Sequence, residues 1–205
     1  MSNIPRHKVF ISYYHADDQE YKDILVDANK RLNLFQNLSV IERGIDDAGL
    51  SAEQIRRIIR DEYMREATVL LLLCGRNSSR RKHIDWEIHT AMYHSDINPQ
   101  MGIVVVNLPT ISQCQRSACN DDKPYFGQVN WVSSSRDRAS IDQDYPYLPS
   151  RIKDNFEKGG IYIPVINWDT FKNNVENLAG VIDVAFNYRY QNEYDHSTPL
   201  RRNNS

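Results

Sequence analysis

Residues 67–74 read Ala-Thr-Val-Leu-Leu-Leu-Leu-Cys and contain the longest unbroken apolar run of the 205-residue chain. The alternating side chains are apolar on both faces, and a strand tolerates this only where other layers cover it above and below. Burial of each leucine contributes about 1.5–3 kcal/mol, so a charge at Leu71 or Leu72 should prevent folding. We therefore predict that this run is the central strand of a parallel sheet.

Strand and helix patterns alternate on both sides of the central run. Each short apolar run is followed by apolar residues at helical spacing, and Ser51 with Gln54 forms a capping box before one of these helices. Pro164 indicates that the last strand lies at the sheet edge. The pattern predicts a doubly wound α/β fold, with a mainly parallel five-stranded sheet flanked by helices. The strands are predicted at residues 9–14, 38–41, 67–74, 101–106 and 161–166.

The chain length fits a single domain, which we place at residues 1–191. Residues 107–160 are polar and lack a sustained period, and they are too many for a structureless loop. We expect them to form an insertion between strands four and five. The polar residues 192–205 are predicted to be a flexible C-terminal tail.

Composition excludes several classes of function. Lys plus Arg number 25 and Asp plus Glu 27, and a net charge of −2 is too even for the basic surface of a nucleic-acid binder. The longest apolar run is far shorter than the roughly 20 residues of a membrane span, and the polar start lacks a secretory signal. Cys74, Cys114 and Cys119 form no CxxC pair. We expect a cytoplasmic protein with reduced thiols and without nucleic-acid or membrane partners.

Ligands of open α/β sheets bind beyond the carboxyl ends of the strands. The candidate segments are therefore residues 15–18, 42–50 and 75–87. The chain has neither the glycine pattern of dinucleotide-binding domains nor a P-loop. A phospho-accepting receiver domain would need an aspartate where this chain has Cys74 and Gly75. These common nucleotide and phosphate sites are thus disfavoured.

Three segments together resemble a TIR domain, a flavodoxin-like fold. Residues 9–13, Val-Phe-Ile-Ser-Tyr, match the opening box of that family, and the glycine-containing loop 42–50 matches its long loop after the second strand. The serines of residues 77–79 lead to Trp86-Glu87-Ile88, which resembles the family's serine-to-glutamate stretch. Arg81 and the segment Trp86-Glu87-Ile88 resemble an Arg-rich, aromatic-Glu-Ile segment of the TIR-like proteins of the bacterial Thoeris anti-phage system. The resemblance covers roughly the first 110 residues and the last strand and helix.

The resemblance implies cleavage of the nicotinamide–ribose bond of NAD, with Glu87 as the catalytic glutamate. NAD is then a substrate, and no cofactor is required. One carboxylate suffices because nicotinamide leaves as a neutral molecule and needs no acid, unlike the leaving groups of ordinary glycosidases. Glu87 would stabilise the positive charge that develops on the ribose. The alternative is that Glu87 is a solvated helix residue.

Further substrate contacts follow from the same resemblance. Some of these predicted contacts have a structural alternative, which is ordinary packing for Tyr13 and Trp86 and a solvated loop for Arg43 and Asp46. In TIR enzymes, the loop that corresponds to Arg43 and Asp46 often completes the site of a neighbouring subunit. Self-association is therefore expected. A metal pair of His83 with His94 lacks an identifiable third ligand, so no metal is predicted. The basic residues Arg76, Arg80, Arg81 and Lys82 can attract the pyrophosphate or simply aid solubility. The predicted substrate-binding residues are Ser12, Tyr13, His15, Arg43, Asp46, Ser78, His83 and Trp86.

The functional interpretation is an NAD-cleaving TIR enzyme that senses a phage component. It would make an ADP-ribose-derived signal, expected to be a cyclic isomer, for a separate effector protein. Cyclisation requires that water be excluded from the site, so plain hydrolysis stays an open outcome. A non-catalytic TIR interaction module and a nucleoside deoxyribosyltransferase-like enzyme are the alternatives.

Overall fold

The computed structural model describes residues 5–39, 48–95, 99–112, 130–132, 136–173 and 175–204. Its strands form one sheet in the order β2-β1-β3-β4-β6-β5. The first five in this order are parallel, and β5 pairs with β6 in the antiparallel sense. The strands are β1 (Lys8–Ser12), β2 (Gln36–Asn37), β3 (Val69–Cys74), β4 (Gly102–Asn107), β5 (Asn130–Val132) and β6 (Ile163–Asn167).

Helices cover both faces of this sheet. Alternating residues of the strands pack on α2, α3 and α5 on one face, and on α1 and α7 on the other. This arrangement confirms the predicted doubly wound α/β fold. The helices are α1 (His15–Leu32), α2 (Ala52–Ile58), α3 (Lys82–Met92), α4 (Arg138–Asp144), α5 (Ser150–Lys158), α6 (Trp168–Asn173) and α7 (Asn177–Tyr188). A π-helical turn, Ile59–Tyr63, extends α2, and a 3-10 turn, Ser78–Arg80, precedes α3.

The predicted central strand is confirmed. All six residues of β3 are buried, and β3 pairs with β1 on one side and β4 on the other. Leu70 and Leu72 contribute to the core on the α3 face, whereas Leu71 and Leu73 contribute to the core on the α1 face. Because helices cover β3 on both faces, every residue of this strand must be apolar.

The second strand begins earlier than the predicted residues 38–41. Asn29, near the end of α1, accepts hydrogen bonds from the backbone amides of Leu34 and Phe35 and donates one to the Phe35 carbonyl. These bonds fix the connection so that pairing with β1 starts at Gln36. Residues 40 and 41 lie outside the described residues.

The insertion supplies the edge of the sheet. Within residues 107–160 the structure describes β5, α4 and α5, and β5 pairs with the outer side of β6. Pro164 lies opposite Trp131 of β5, so the prediction that its strand forms the edge was wrong. The short strand β5 was not visible in the sequence because three residues show no period.

The C-terminal segment, which we expected to be a flexible tail, packs against the domain. Tyr194 and Leu200 are buried, and the Arg151 guanidinium donates to the carbonyls of Thr198 and Pro199. We call residues 192–204 the C-terminal strap. The polar sequence does not predict this packing, because the strap is held largely through hydrogen bonds of its backbone.

A search of the described helices for a membrane-spanning segment finds none with the required length and hydropathy.

Candidate active site

The carboxyl end of β1 and the middle of α3 bring Ser12 and Glu87 together. The Ser12 hydroxyl donates a hydrogen bond of 2.6 Å to Glu87 Oε2. Ser12 is buried and Glu87 is half-buried, so the serine lies beneath the carboxylate, which keeps some access to solvent. A hydroxyl bound to a carboxylate at this distance forms a strong, charge-assisted hydrogen bond. Two predicted site residues that are 75 positions apart in the sequence are thus in direct contact.

Contacts to Asp85 fix the helix that carries Glu87. Asp85, two residues before it, accepts two hydrogen bonds from Arg151 of α5, at 3.0 and 3.1 Å. Asp85 also accepts from the backbone amide of Arg201 in the C-terminal strap, at 2.9 Å. Arg151 is 1% exposed. The insertion and the strap therefore hold the helix segment on which the candidate carboxylate lies.

Trp86 belongs to this packing. It is fully buried, and its indole N–H donates to the Arg201 carbonyl at 2.8 Å. The face of its ring is therefore not available for a ligand, and the packing alternative fits better than the stacking role. His83 is half-buried and lies edge-on to Trp86, with 5.0 Å between ring centroids. One helical turn before Glu87, His83 remains a neighbour of the site.

Tyr13 and His15 lie away from the Glu87 carboxylate. Successive strand residues point to opposite faces of a sheet, and Tyr13 packs with the core on the α1 face. Its hydroxyl donates to Gln19 of α1 at 2.8 Å, and His15 is exposed at the start of that helix. The prediction that these two residues contact the substrate therefore does not fit their positions in this structure.

Tyr14 takes the place that we expected for Tyr13. It packs with the core on the α3 face, the same face as Ser12. The Arg81 guanidinium lies over the Tyr14 ring at 3.9 Å from its centroid. Arg81 directly precedes α3, so an aromatic ring and a cation stand beside the strand end that carries Ser12. The signal that could have identified Tyr14 is strand alternation, which places it on the face of Ser12.

Ser78 stabilises the loop after β3. It is 1% exposed, and its hydroxyl oxygen accepts from the Gly75 amide at 2.8 Å and donates to the Leu73 carbonyl. Its hydrogen-bonding capacity is thus used within the loop, contrary to the predicted role in substrate binding. Arg76 is similarly engaged, because its side chain donates to the carbonyl of Thr110 at 3.2 Å.

Asp18, in the first turn of α1, has a buried carboxyl group that lies against Gly75 at the end of β3. It is 0% exposed, and neither side-chain oxygen has a well-formed hydrogen bond to a described residue. Burial raises the pKa of Asp18 from 3.8 to about 6, and the neighbouring charge of Asp17 adds to the effect. Gly75 makes room for this side chain, because a Cβ at that position would lie 2.3 Å from Asp18 Oδ1. Asp18 belongs to the candidate segment 15–18, but no motif distinguishes it from its neighbours there, so it is absent from the predicted site residues.

The structure describes the chain after β2 as far as Ser39. Ser39 lies beside β1, where its hydroxyl oxygen accepts a hydrogen bond from the Ile11 amide at 2.8 Å. Arg43 and Asp46, both predicted to contact the substrate, lie outside the described residues. Cys114 and Cys119 also lie outside them, whereas Cys74 is buried at the end of β3.

No group of three or more His, Cys, Asp or Glu side chains that could hold a metal ion occurs in the part of the chain that the structure describes. His83 and His94 lie at opposite ends of α3, which is 11 residues long. At about 1.5 Å per residue, this separation is too large for one ion. The charged groups beside the end of β1 include the Glu87 carboxylate and the Arg81 guanidinium, which lies over the Tyr14 ring.

The strand order, with a serine at the end of β1 and a glutamate on α3, defines a TIR-like α/β domain. The family described as "Thoeris protein ThsB, TIR-like domain" matches residues 10–113, just over half of the 205-residue chain, and the chain belongs to this family. The match contains Ser12 and Glu87, and it ends before β5, α5 and the C-terminal strap. A comparison with curated proteins finds no match.

Proposed function

We propose that this Thoeris TIR protein cleaves the nicotinamide–ribose bond of NAD, with Glu87 as the catalytic carboxylate. The observation that carries the proposal is the contact between Ser12 and Glu87 at the carboxyl ends of the strands, where α/β sheets bind ligands. A glutamate that were only a solvated helix residue would not need a buried serine beneath it. The family membership supports a defence role, and the geometry supports a reactive carboxylate.

One carboxylate is sufficient for this bond cleavage. The nicotinamide of NAD carries a positive charge and leaves as a neutral molecule, so its departure requires no general acid. Positive charge then develops on the ribose, and a nearby carboxylate stabilises that charge more strongly in the transition state than in the ground state. Glu87 would supply this stabilisation from α3.

Ser12 acts in this proposal as a positioning residue. Its 2.6 Å hydrogen bond to Oε2 holds one oxygen of the Glu87 carboxylate and thereby fixes the orientation of that side chain. Tyr14 and Arg81 lie beside the same strand end, and the guanidinium can attract the pyrophosphate of the dinucleotide. We retain His83 as a candidate contact because it lies one turn from Glu87 on the same helix.

The purified chain should release nicotinamide from NAD, measured by chromatography. Glu87→Gln should lower the rate on the order of 10²-fold or more, because it removes the charge and preserves the side-chain shape. Ser12→Ala should lower it by roughly 10-fold to 10²-fold through loss of positioning. Glu20→Gln, an exposed glutamate of α1, is the matched control and should retain the wild-type rate.

Two results would contradict the proposal. Equal rates for the wild type and Glu87→Gln would exclude a catalytic role of the carboxylate. Release of base from deoxynucleosides and not from NAD would indicate the deoxyribosyltransferase alternative. Since such sensors can be silent before infection, the assay is run at high protein concentration and in lysate of infected cells as well as in buffer. Inactivity in all three conditions would favour the non-catalytic interaction module.

The product that we propose is an ADP-ribose-derived signal, expected to be a cyclic isomer, which would activate a separate effector protein after a phage component triggers the enzyme. Self-association in the cytoplasm belongs to the same proposal. Mass spectrometry of small molecules from infected cells expressing the wild type or Glu87→Gln identifies the product. A new species present only with the wild type supports the signalling role, and ADP-ribose alone indicates plain hydrolysis.

A further inference from the structure

A small cavity lies at the edge of the sheet opposite to Ser12 and Glu87. Its walls include Ala67 and Thr68, which precede β3, and Pro99 and Gln100, which precede β4. The amino ends of these parallel strands are remote from the carboxyl ends that carry the candidate active site. The cavity volume is about 180 Å³. Pockets for drug-sized ligands measure about 300–1,000 Å³, so this cavity suits a smaller group.

Three arginines contribute to the cavity wall. Arg60, Arg65 and Arg189 all line it. The acidic residue in the wall, Glu66, already forms an ion pair with Lys8 at 2.6 Å. Three arginines and one carboxylate that is already paired thus line the cavity, so its lining carries net positive charge, although the net charge of the chain is −2. We call this feature the arginine cavity.

Arg60 is the most informative residue of the arginine cavity. It is only 5% exposed, and its Nε is buried without a hydrogen-bond partner among the described residues. Burial lowers its pKa, and the nearby Asp61 opposes this effect. A guanidinium nevertheless keeps its proton in proteins, so the positive charge remains. A buried guanidinium N–H without an acceptor is costly, and an anion in the cavity that accepts from it would offset that cost.

The opposite wall of the cavity is held in place. The Arg189 guanidinium lies over the rings of Phe186 and Tyr190, at 3.4 and 4.0 Å from their centroids. The Gln100 side-chain amide donates to the backbone carbonyls of Arg189 and Asn192. These contacts orient Arg189 before any ligand arrives, which lowers the entropic cost of binding.

We propose that the arginine cavity binds a small phosphoryl oxyanion. Planar guanidinium groups match pairs of phosphate oxygens, and three of them can neutralise the charge of one phosphate. The volume admits a single phosphate group, either free or at the end of a larger molecule whose remainder lies outside. This site is separate from the NAD site proposed above, so its occupancy does not compete with the substrate.

Thermal unfolding with inorganic phosphate, against chloride at equal ionic strength, tests the proposal. Phosphate should raise Tm by roughly 3–6 °C at about ten times its Kd, whereas chloride should not. Arg60→Met should leave Tm without phosphate equal or higher, because it removes a buried charge whose Nε lacks an acceptor, and should abolish the phosphate effect. Arg31→Gln, an exposed arginine at the end of α1, is the control and should respond as the wild type does.

A second variant and a second probe complete the test. Arg65→Gln changes an exposed residue of the cavity wall and should weaken phosphate binding several-fold in calorimetry without affecting the fold. AMP distinguishes the two sources of the phosphate: tighter binding than that of inorganic phosphate indicates a nucleotide ligand, and equal binding a free anion. The proposal is wrong when phosphate gives no saturable binding, or when Arg60→Met and Arg65→Gln both leave that binding unchanged. None of these measurements depends on NAD cleavage.

Discussion

Asp18 is a buried residue at the contact between the start of α1 and the loop after β3. Its carboxyl group lies against Gly75 at the end of β3, and a side chain at position 75 would overlap it. Asp17, its neighbour, accepts a 2.6 Å hydrogen bond from Asn77 in the loop after β3. The start of α1 and the loop before α3 are thereby connected beside the strand ends, close to the backbone that carries Ser12.

We predict that Asp18→Asn stabilises the protein in a pH-dependent manner. The pKa of Asp18 is raised to about 6, so its unfavourable effect on folding develops as the pH rises from about 4 through 6 and persists above. Well below pH 4 the carboxyl group is neutral in both states. Discounted for partial solvation, the gain in unfolding free energy at pH 8 should be about 1–2 kcal/mol larger than at pH 4.

Urea unfolding at both pH values measures this difference. Asp27→Asn provides the control, since Asp27 lies on the same helix and is 68% exposed in its ion pair with Lys30. We expect the control to change the unfolding free energy by less than about 0.5 kcal/mol at either pH. A gain for Asp18→Asn that does not vary with pH would contradict ionisation as its cause.

At the level of elements, α3 is held by two segments that lie outside the family match. Asp85 pairs with Arg151 of α5, and Trp86 donates to the carbonyl of Arg201 in the C-terminal strap. Both contacted residues of α3 directly precede Glu87. A polar insertion and a polar C-terminus thus support the helix that carries the candidate catalytic carboxylate.

Breaking the Arg151–Asp85 pair should destabilise the protein strongly. Arg151→Met leaves the Asp85 carboxylate buried without its cation, which typically costs about 3–5 kcal/mol. We expect Tm to fall by roughly 6–20 °C. Differential scanning calorimetry measures the change.

The matched control is Arg138→Met on α4. Arg138 also pairs with carboxylates, including Asp142 at 3.2 Å, but it is 36% exposed. Its loss should therefore cost no more than about 1 kcal/mol. A similar decrease in Tm for the two variants would show that the Arg151–Asp85 pair does not stabilise the packing of α5 and the strap on α3 more than an exposed pair would.

The same elements show where the sequence was informative. The apolar run of β3 predicted the sheet centre because burial on both faces constrains every residue of a strand. Ser12 and Glu87 were identified because motifs mark them and the topology brings strand ends together. The motif ends in Tyr13 and predicts it as a substrate contact, because a motif does not specify which face of β1 meets α3. The strap, α5 and Arg60 could not be found, since their contacts are long-range and leave no periodic pattern.

At the scale of the whole molecule, the candidate site divides between two parts of the sheet edge. Glu87 lies on α3, which follows β3 in the chain, and β3 is on one side of β1. Arg43 and Asp46 lie outside the described residues and follow β2 in the sequence, and β2 is on the other side of β1. The resemblance to TIR enzymes implies that the loop with these two residues completes the site of a neighbouring subunit. Under that proposal, each complete site takes Glu87 from one copy and the loop from another.

Mixing two inactive variants tests this division. We predict that Glu87→Gln and Asp46→Asn are each inactive on NAD, and that an equimolar mixture recovers activity. With random pairing through a head-to-tail interface, about one quarter of the sites contain both intact parts, so the mixture should reach about one quarter of the wild-type rate per protomer. Nicotinamide release, measured over a range of total protein concentrations, should rise more steeply than in proportion. A mixture as inactive as its components would mean that Glu87 and Asp46 must belong to the same copy, because each variant supplies the part that the other lacks.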